Sequence, residues 1–424
     1  MSFLAAVIVF AITYVLLLIF PKYRAYIALG SAIIFVFWAK LGFGELAEAI
    51  DFNVLMMIAG TMGIVALFIE SKMPQLLADL LISKAPNAKW AIVLLAFFAG
   101  VISAFVDNVA TVLMVAPVAL AIAKKQKFSP VLPIIAIAVS SNLQGAATLV
   151  GDTTSIMLGN YANMDFLDFF VFQGKPGIFF AVEIGALLSV LTLLIIFRKN
   201  NQKLEIQEKT VVKDFFPSIL MIGVVVLLIA ASFIPNKPTI TNGLICIGLM
   251  VIGIIYNLIK TKNPAVTVKV FKEIDYFTLL LLAGLFVIIA GVTKAGVIDK
   301  LAQLFMNIGG SNLFIMYTII VFMSVVLSAF IDNIPYVATM LPVVQSIALM
   351  MGVPPYVLYF GLLIGATLGG NITPIGASAN IAGIGILRKE GFEVKAKDFF
   401  KIGIPFTLTA VLSGYAFIWI FYGL

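Results

Sequence analysis

The chain has 424 residues, 62% of them hydrophobic and 11% charged, against about half and about a quarter in soluble domains. It holds no histidine and one cysteine, Cys246, which excludes the commonest metal ligand and general base, an intrachain disulfide and a tri-thiolate metal site. The formal net charge of +7 follows the topology set out below and does not point to nucleic acid.

Apolar runs of membrane-spanning length recur from the first residues onward. Crossing spans are expected at roughly 3–20, 25–39, 53–69, 130–160, 176–197, 215–234, 240–259, 275–293, 354–387 and 402–422. The run from Phe3 to Phe20 has no basic start, and Pro21-Lys22-Tyr23-Arg24 follows it where a signal peptide would carry a small-residue cleavage site. It reads as the first span. Alternating strands of the kind a membrane β-barrel needs are not expected. The predicted fold class is an all-α polytopic membrane protein.

Two runs, 90–123 and 312–350, are too long for one crossing. The first would make a helix of about 51 Å against a hydrocarbon core of about 30 Å. Each carries Asp-Asn at its middle, in AFVDN (104–108) and AFIDN (329–333). A re-entrant hairpin fits both facts. The alternative is two short crossings with a solvated Asp-Asn loop, although no Gly, Ser or Lys widens the turn. With hairpins, 22 of the 27 basic residues fall on one face, the cytoplasmic one by the positive-inside rule. Both termini then lie outside an inner or plasma membrane.

The chain repeats itself at an offset of 225: Asp107-Asn108 with Asp332-Asn333, Pro117 with Pro342, Gly145 with Gly370, Thr148 with Thr373, and Gly151 with Gly376. Each half then has five crossings, one hairpin and one broken helix. Five is odd, so the second half runs inverted to the first. The expected organisation is a first repeat at 1–197, a solvated cytoplasmic linker at 198–214, and a second repeat at 215–424. The hairpins lie at 90–123 and 312–350, and the broken helices at 130–160 and 354–387.

Both broken helices carry Gly-, Thr-, Ser- and Asn-rich stretches, SSNLQGAATLVGDTTS (140–155) and GATLGGNITPIGASAN (365–380). Unwound backbone is tolerable in a bilayer only where it lines a cavity or holds an ion. Asp107, Asp152 and Asp332 fall at membrane depth, and Glu183 about two turns into its span. No Lys or Arg in a span interior is expected to pair with them. Each acid must be protonated, bind a cation or face water. The donor set is all oxygen, which suits a hard cation such as sodium.

At these motifs the chain resembles the ion transporter superfamily, which includes arsenite permeases, sodium/proton antiporters, the P protein, and citrate and dicarboxylate carriers. AFVDNVAT, AFIDNIPYVAT, SSNLQGAATLVGDTTS and ATLGGNITPIGASAN carry the resemblance. They are nearest the arsenite permease, antiporter and P protein branch. The resemblance implies hairpins meeting broken helices at the midplane, a homodimer and an elevator-like motion. It also implies cation ligation by Asn108 and Asn333. Asp stands where the dicarboxylate branch carries Ser at the hairpin tips, and an anionic side chain there repels a dicarboxylate.

The expected function is secondary active transport, not enzymatic catalysis: a small cation, sodium, exchanged for protons. Asp107, Asp152 and Asp332 would carry the exchangeable charge. Asn108, Asn142, Gly145, Thr148, Gly151, Thr153, Thr154, Asn333, Gly370, Asn371, Thr373, Gly376, Ser378 and Asn380 would complete the site, with sodium on Asn108, Asp152 and Asn333. No cofactor is expected beyond the transported or coupling sodium and protons. The partners are the lipid bilayer and a small ion or anion. Arsenite or antimonite efflux and sodium- or proton-coupled anion uptake are the alternatives. An intramembrane aspartyl protease lacks its Gly-x-Gly-Asp signature, because Leu149 stands at the first Gly.

Overall fold

The computed structural model describes residues 3–203, 210–262 and 265–424. Part of the linker, 204–209, lies outside the described residues. The first half supplies α1 (Phe3–Ile19), α2 (Arg24–Trp38), α3 (Phe43–Ala49), α4 (Phe52–Glu70), α5 (Met73–Ser83), α6 (Ala88–Ser103), α7 (Asn108–Lys125), α8 (Val131–Gly145), α9 (Thr153–Tyr161) and α10 (Ile178–Ile196). The second supplies α11 (Phe216–Ser232), α12 (Thr241–Thr261), α13 (Ala265–Glu273), α14 (Tyr276–Lys294), α15 (Val297–Gly309), α16 (Leu313–Ser328), α17 (Asn333–Met351), α18 (Tyr356–Leu363), α19 (Ser378–Lys389) and α20 (Ala396–Ile418). Among the described residues, seven helices are long and apolar enough to cross a membrane, or up to nine if each sharply bent pair counts as one span. The molecule is a multi-span helical membrane protein.

Matched residues start matched helices. Asp51 accepts from Val54 N and Asp275 from Thr278 N, both at 3.0 Å. Asn87 accepts from Trp90 N and Asn312 from Ile315 N, both at 3.1 Å. Such caps satisfy amides that a helix start leaves unpaired. Packing repeats too: α4 lies on α12, and α14 on α2. Gly60 lets α4 approach the backbone at Cys246, and Gly284 lets α14 approach the backbone at Ala28. Small residues at such crossings are how membrane helices come close. Cys246 is fully buried there as a packing residue. Outward-facing Ile8, Ile12 and Val15 on α1, and Leu187, Leu191 and Ile195 on α10, are exposed at helical spacing, as lipid-facing stripes are.

Two bodies emerge from these contacts. One joins α6–α10 with α16–α20, through α6 on α8, α7 on α8 and α19, and α10 on α20. The other joins α1–α4 with α11–α14.

Four helices, α3, α5, α13 and α15, fall between the expected spans. They are short and carry charge, so no span-length apolar run marks them. A two-stranded turn, β1 (Val171–Phe172) and β2 (Lys175–Pro176), was likewise not expected. Gln173 and Gly174 both hold positive φ there, 51° and 75°, as a tight two-residue hairpin requires. Most of the described linker residues are exposed, Arg198, Lys199, Lys203 and Lys213 among them, and a few hydrogen bonds tether the segment. Ala88 N donates to Gln202 O at 2.9 Å, Lys89 N to Asn200 O at 2.7 Å, and Thr210 N and Oγ1 to Asp79 at 2.9 and 2.6 Å.

Candidate ion-binding site

Each long run containing Asp-Asn is two helices with a four-residue break, α6 and α7 around 104–107 and α16 and α17 around 329–332. The Asp is the N-cap of the second helix. Asp107 Oδ1 accepts from Val109 N and Ala110 N at 3.0 and 3.1 Å. Asp332 Oδ1 accepts from Ile334 N at 3.1 Å. One carboxylate oxygen is thus spent on satisfying helix amides, which water would otherwise do.

The broken helices clasp these tips by the same contacts in both halves. Thr148 Oγ1 donates to Ala104 O, and Thr373 Oγ1 to Ala329 O. Ser155 Oγ donates to Gly145 O at 3.3 Å, and its counterpart Asn380 donates Nδ2 to Gly370 O at 2.9 Å. Gly151 sits against the carbonyls of Gly145, Ser103 and Ala104, and Gly376 against those of Gly370, Ala329 and Ser328. Positions 225 residues apart thus make corresponding contacts here, although Ser155 and Asn380 use different groups.

At the centre, Asn142 joins the halves. Its Oδ1 accepts from Asn108 Nδ2 at 3.1 Å, and its Nδ2 donates to Thr367 O at 2.7 Å and Asn371 Oδ1 at 3.0 Å. Asn371 Nδ2 returns to Val139 O at 3.0 Å, and Thr154 meets Thr367 hydroxyl to hydroxyl at 3.0 Å. Asn142→Ala leaves three buried polar groups short of a partner, at about 1–3 kcal/mol each. The expected result is a clear drop in melting temperature together with loss of transport. A variant that melts like the wild type would refute the bridge.

A cavity of about 160 Å³ opens where four helix N-termini meet. Asp107 and Asn108 line it at α7, Asp152 and Thr153 at α9, Asp332 and Asn333 at α17, and Ser378 at α19, with Asn142 among them. Glu273, Asp275 and Thr278 line it from the α13–α14 corner. Five carboxylates and no Lys or Arg are among the lining residues. Of the other residues singled out in the sequence, Gly145, Thr148, Gly151, Thr154, Gly370, Asn371, Thr373, Gly376 and Asn380 do not line the cavity. They hold the breaks and tips in place around it.

The three acids differ. Asp152 is buried, makes no cap hydrogen bond, and takes one donor, the hydroxyl of Thr154, at 2.9 Å. It has no ion pair among the described residues, and its counterpart in the second half is Ala377. Asp107 is half-buried and also has no ion pair among the described residues. Asp332 is paired: Arg24 Nη1 lies 2.9 Å from its Oδ2. The expectation concerns Lys and Arg in span interiors; this base comes from outside them, so Asp332 need not be protonated, bind a cation or face water. Arg24 is 308 residues away, between the first two expected spans. Glu183 does not line the cavity. It stands half-buried on α10 with no hydrogen bond or ion pair among the described residues.

Sequence reasoning missed Arg24, Asp275, Glu273 and Thr367. The repeat held a signal for two of them. Thr367 stands in register with Asn142, and Asp275 matches Asp51 at an offset of 224.

Comparison with known proteins decides the family. The sequence profile described as citrate transporter matches residues 14–365. The chain belongs to the citrate transporter family. The family lies within the ion transporter superfamily read from the motifs. Among relatives, a 46 kDa membrane protein of Mycobacterium leprae is 28% identical over 98% of each chain. An uncharacterised transporter of Mycobacterium tuberculosis is 29% identical over 88% of this chain and 87% of its own. The human P protein is 25% identical over 88% of this chain and 54% of its own length. In three dimensions this family member is similar to the YdaH transporter of Alcanivorax borkumensis, with a TM-score of 0.59 and 14% identity over 87% of this chain and 84% of that one. It is also similar to Neisseria gonorrhoeae MtrF, with a TM-score of 0.56 and 16% identity over 88% and 81%. These two likenesses concern the fold.

Proposed function

We propose that this transporter exchanges a small cation, sodium, for protons, with Asp152 as the principal exchanging carboxylate and Asp107 beside it. One observation carries the reading. Asp152 is a buried carboxylate on a cavity wall, with no helix-cap hydrogen bond and no ion pair among the described residues. A carboxylate so placed takes either a proton or a metal cation, and both cannot be held at once. Asn108, Thr153 and Asn333 supply further oxygens, of the kind a hard cation prefers. In this reading the two halves are inverted repeats, the tips are re-entrant hairpins, and the protein is a homodimer of the inner or plasma membrane with both termini outside. The body holding both tips moves against the other in an elevator-like step. The ion pairs away from the cavity fit such a sidedness. Lys124–Glu390, Lys260–Asp214 and Lys269–Glu70 join residues placed inside, and Lys294–Glu45 and Lys237–Asp165 join residues placed outside.

Coupled uptake of a carboxylate anion is the second reading. The family match favours it, as do the four helix N-termini at the cavity, each equivalent to roughly half a positive charge. The five lining carboxylates oppose it unless cations or protons enter with the anion.

Proteoliposomes holding a pH-sensitive dye separate these readings. Sodium, lithium, potassium, arsenite, citrate and a dicarboxylate are added singly under an imposed proton gradient. The expected result is a dye response to sodium or lithium that disappears in Asp107→Asn. Silence to every cation with a response to citrate or the dicarboxylate would replace exchange by anion uptake.

A further inference from the structure

The two hairpin tips match in sequence and in backbone geometry, yet among the described residues only one has a base. Arg24 opens α2, in the body that lacks the tips. Its Nε donates to Leu17 O at 3.1 Å, and its Nη1 donates to Asp332 Oδ2 at 2.9 Å. Both side chains are nearly buried, 12% and 10% exposed, so solvent screens the pair little. Neighbouring contacts fix the same seam. Tyr14 on α1 donates its hydroxyl to Pro335 O at 2.8 Å and also meets Thr339 on α17. A sharp bend of 115° between α1 and α2 brings Tyr14 and Arg24 to one helix start. Asp332 also takes a donor from Ser378 at 3.3 Å. Its Oδ1 caps α17 and its Oδ2 takes the guanidinium and the Ser378 hydroxyl, so the carboxylate's charge is already balanced within the protein.

We infer that Arg24 is a tethered counter-cation: it fills the charge site at Asp332 and so withdraws one of the three tip and break carboxylates from ion exchange. This deepens the exchange reading by assigning the exchanged charge to Asp107 and Asp152 alone. The asymmetry of the two repeats then has a consequence, since it fixes how many charges move per cycle. Arg24 is a positioning residue with an electrostatic role. It does not line the cavity.

The test is the zero-flux voltage of the full-length protein in proteoliposomes. It is measured with whichever substrate of the panel above drives the wild-type dye, so a failure of sodium exchange shows in the wild type first and does not decide this inference. In Arg24→Gln, Asp332 is left unpaired and must take a mobile cation or proton. A proton carried on Asp332 with no cation returned in its place adds one elementary charge per cycle, which changes the equilibrium gradient about tenfold at an imposed voltage of about 60 mV. Arg24→Lys is expected to keep the wild-type value. An active Arg24→Gln with an unchanged zero-flux voltage would overturn the inference. Loss of a buried partner can also unfold a protein, so the double variant Arg24→Gln/Asp332→Asn is made in parallel. It carries neither charge and is expected to fold and to keep the wild-type zero-flux voltage, whatever its rate. A folded double variant with no coupled transport, or with a shifted voltage, would show that Asp332 does carry an exchanged ion.

Discussion

Asp152→Asn is expected to lower coupled transport by about ten- to a hundredfold while leaving the protein folded, with a melting temperature at or above that of the wild type. The amide keeps the size of the side chain and can still accept from Thr154, so the break between α8 and α9 should hold. What it loses is the charge. A charged hydrogen-bond partner or ligand contributes about 1.5–3 kcal/mol, and each 1.4 kcal/mol is about tenfold in a binding constant. Stability moves the other way, because an uncompensated buried charge is costly to the fold and its removal is neutral or favourable. The sodium-driven dye response and the melting curve of the purified protein together check this. Transport within about threefold of wild type would exclude Asp152 as the exchanging group. A collapse in melting temperature would make it structural.

Gly151→Ala and Gly376→Ala should both be severely destabilising. A Cβ at Gly151 would stand 2.6 Å from Gly145 O, 2.7 Å from Ser103 O and 2.8 Å from Ala104 O. At Gly376 it would stand 2.6, 2.8 and 2.9 Å from the carbonyls of Gly370, Ala329 and Ser328. These are backbone atoms at the ends of α6, α8 and α16, in the breaks that follow α6 and α16, and between α18 and α19. They cannot withdraw without breaking the Thr148–Ala104 or Thr373–Ala329 bond that clasps the tip. Overpacking costs about 1–3 kcal/mol in an ordinary core, and three crowded carbonyls put these sites at the upper end or beyond. Gly385→Ala is the control, since nothing lies within 4 Å of a Cβ there, and alanine favours a helix interior over glycine. Folded yield in detergent and thermal melting would show the contrast. Equal melting of Gly151→Ala and Gly385→Ala would refute the close approach.

Some of this was legible without coordinates. Composition alone gives a membrane solvent, because too few polar residues exist to cover a soluble surface. The apolar runs give the long helices, because backbone groups in lipid must pair within their own segment. The 225-residue register shows which residues do the same local job, and the structure returns it as matched caps, clasps and glycine contacts. Asp107 and Asp332 as tip residues, and the breaks at 146–152 and 373–377, were visible as polar stretches in apolar sequence.

Other features were decided only by the tertiary structure. Sequence placed seventeen residues in one site by type, whereas folding divides them into cavity lining and scaffold. Thr148 and Thr373 point at tip carbonyls, and Asn371 joins Asn142, because a residue's type does not give its direction. The short charged helices α5 and α15 escaped because the apolar signal needs length. Above all, Asp107 and Asp332 read alike in sequence and differ in charge environment. The guanidinium that separates them comes from Arg24, 308 residues away, across the seam between two helix bodies. Local pattern reports a residue's own helix. Electrostatic pairing depends on what folding brings within a few ångströms, and for these acids that was settled by packing.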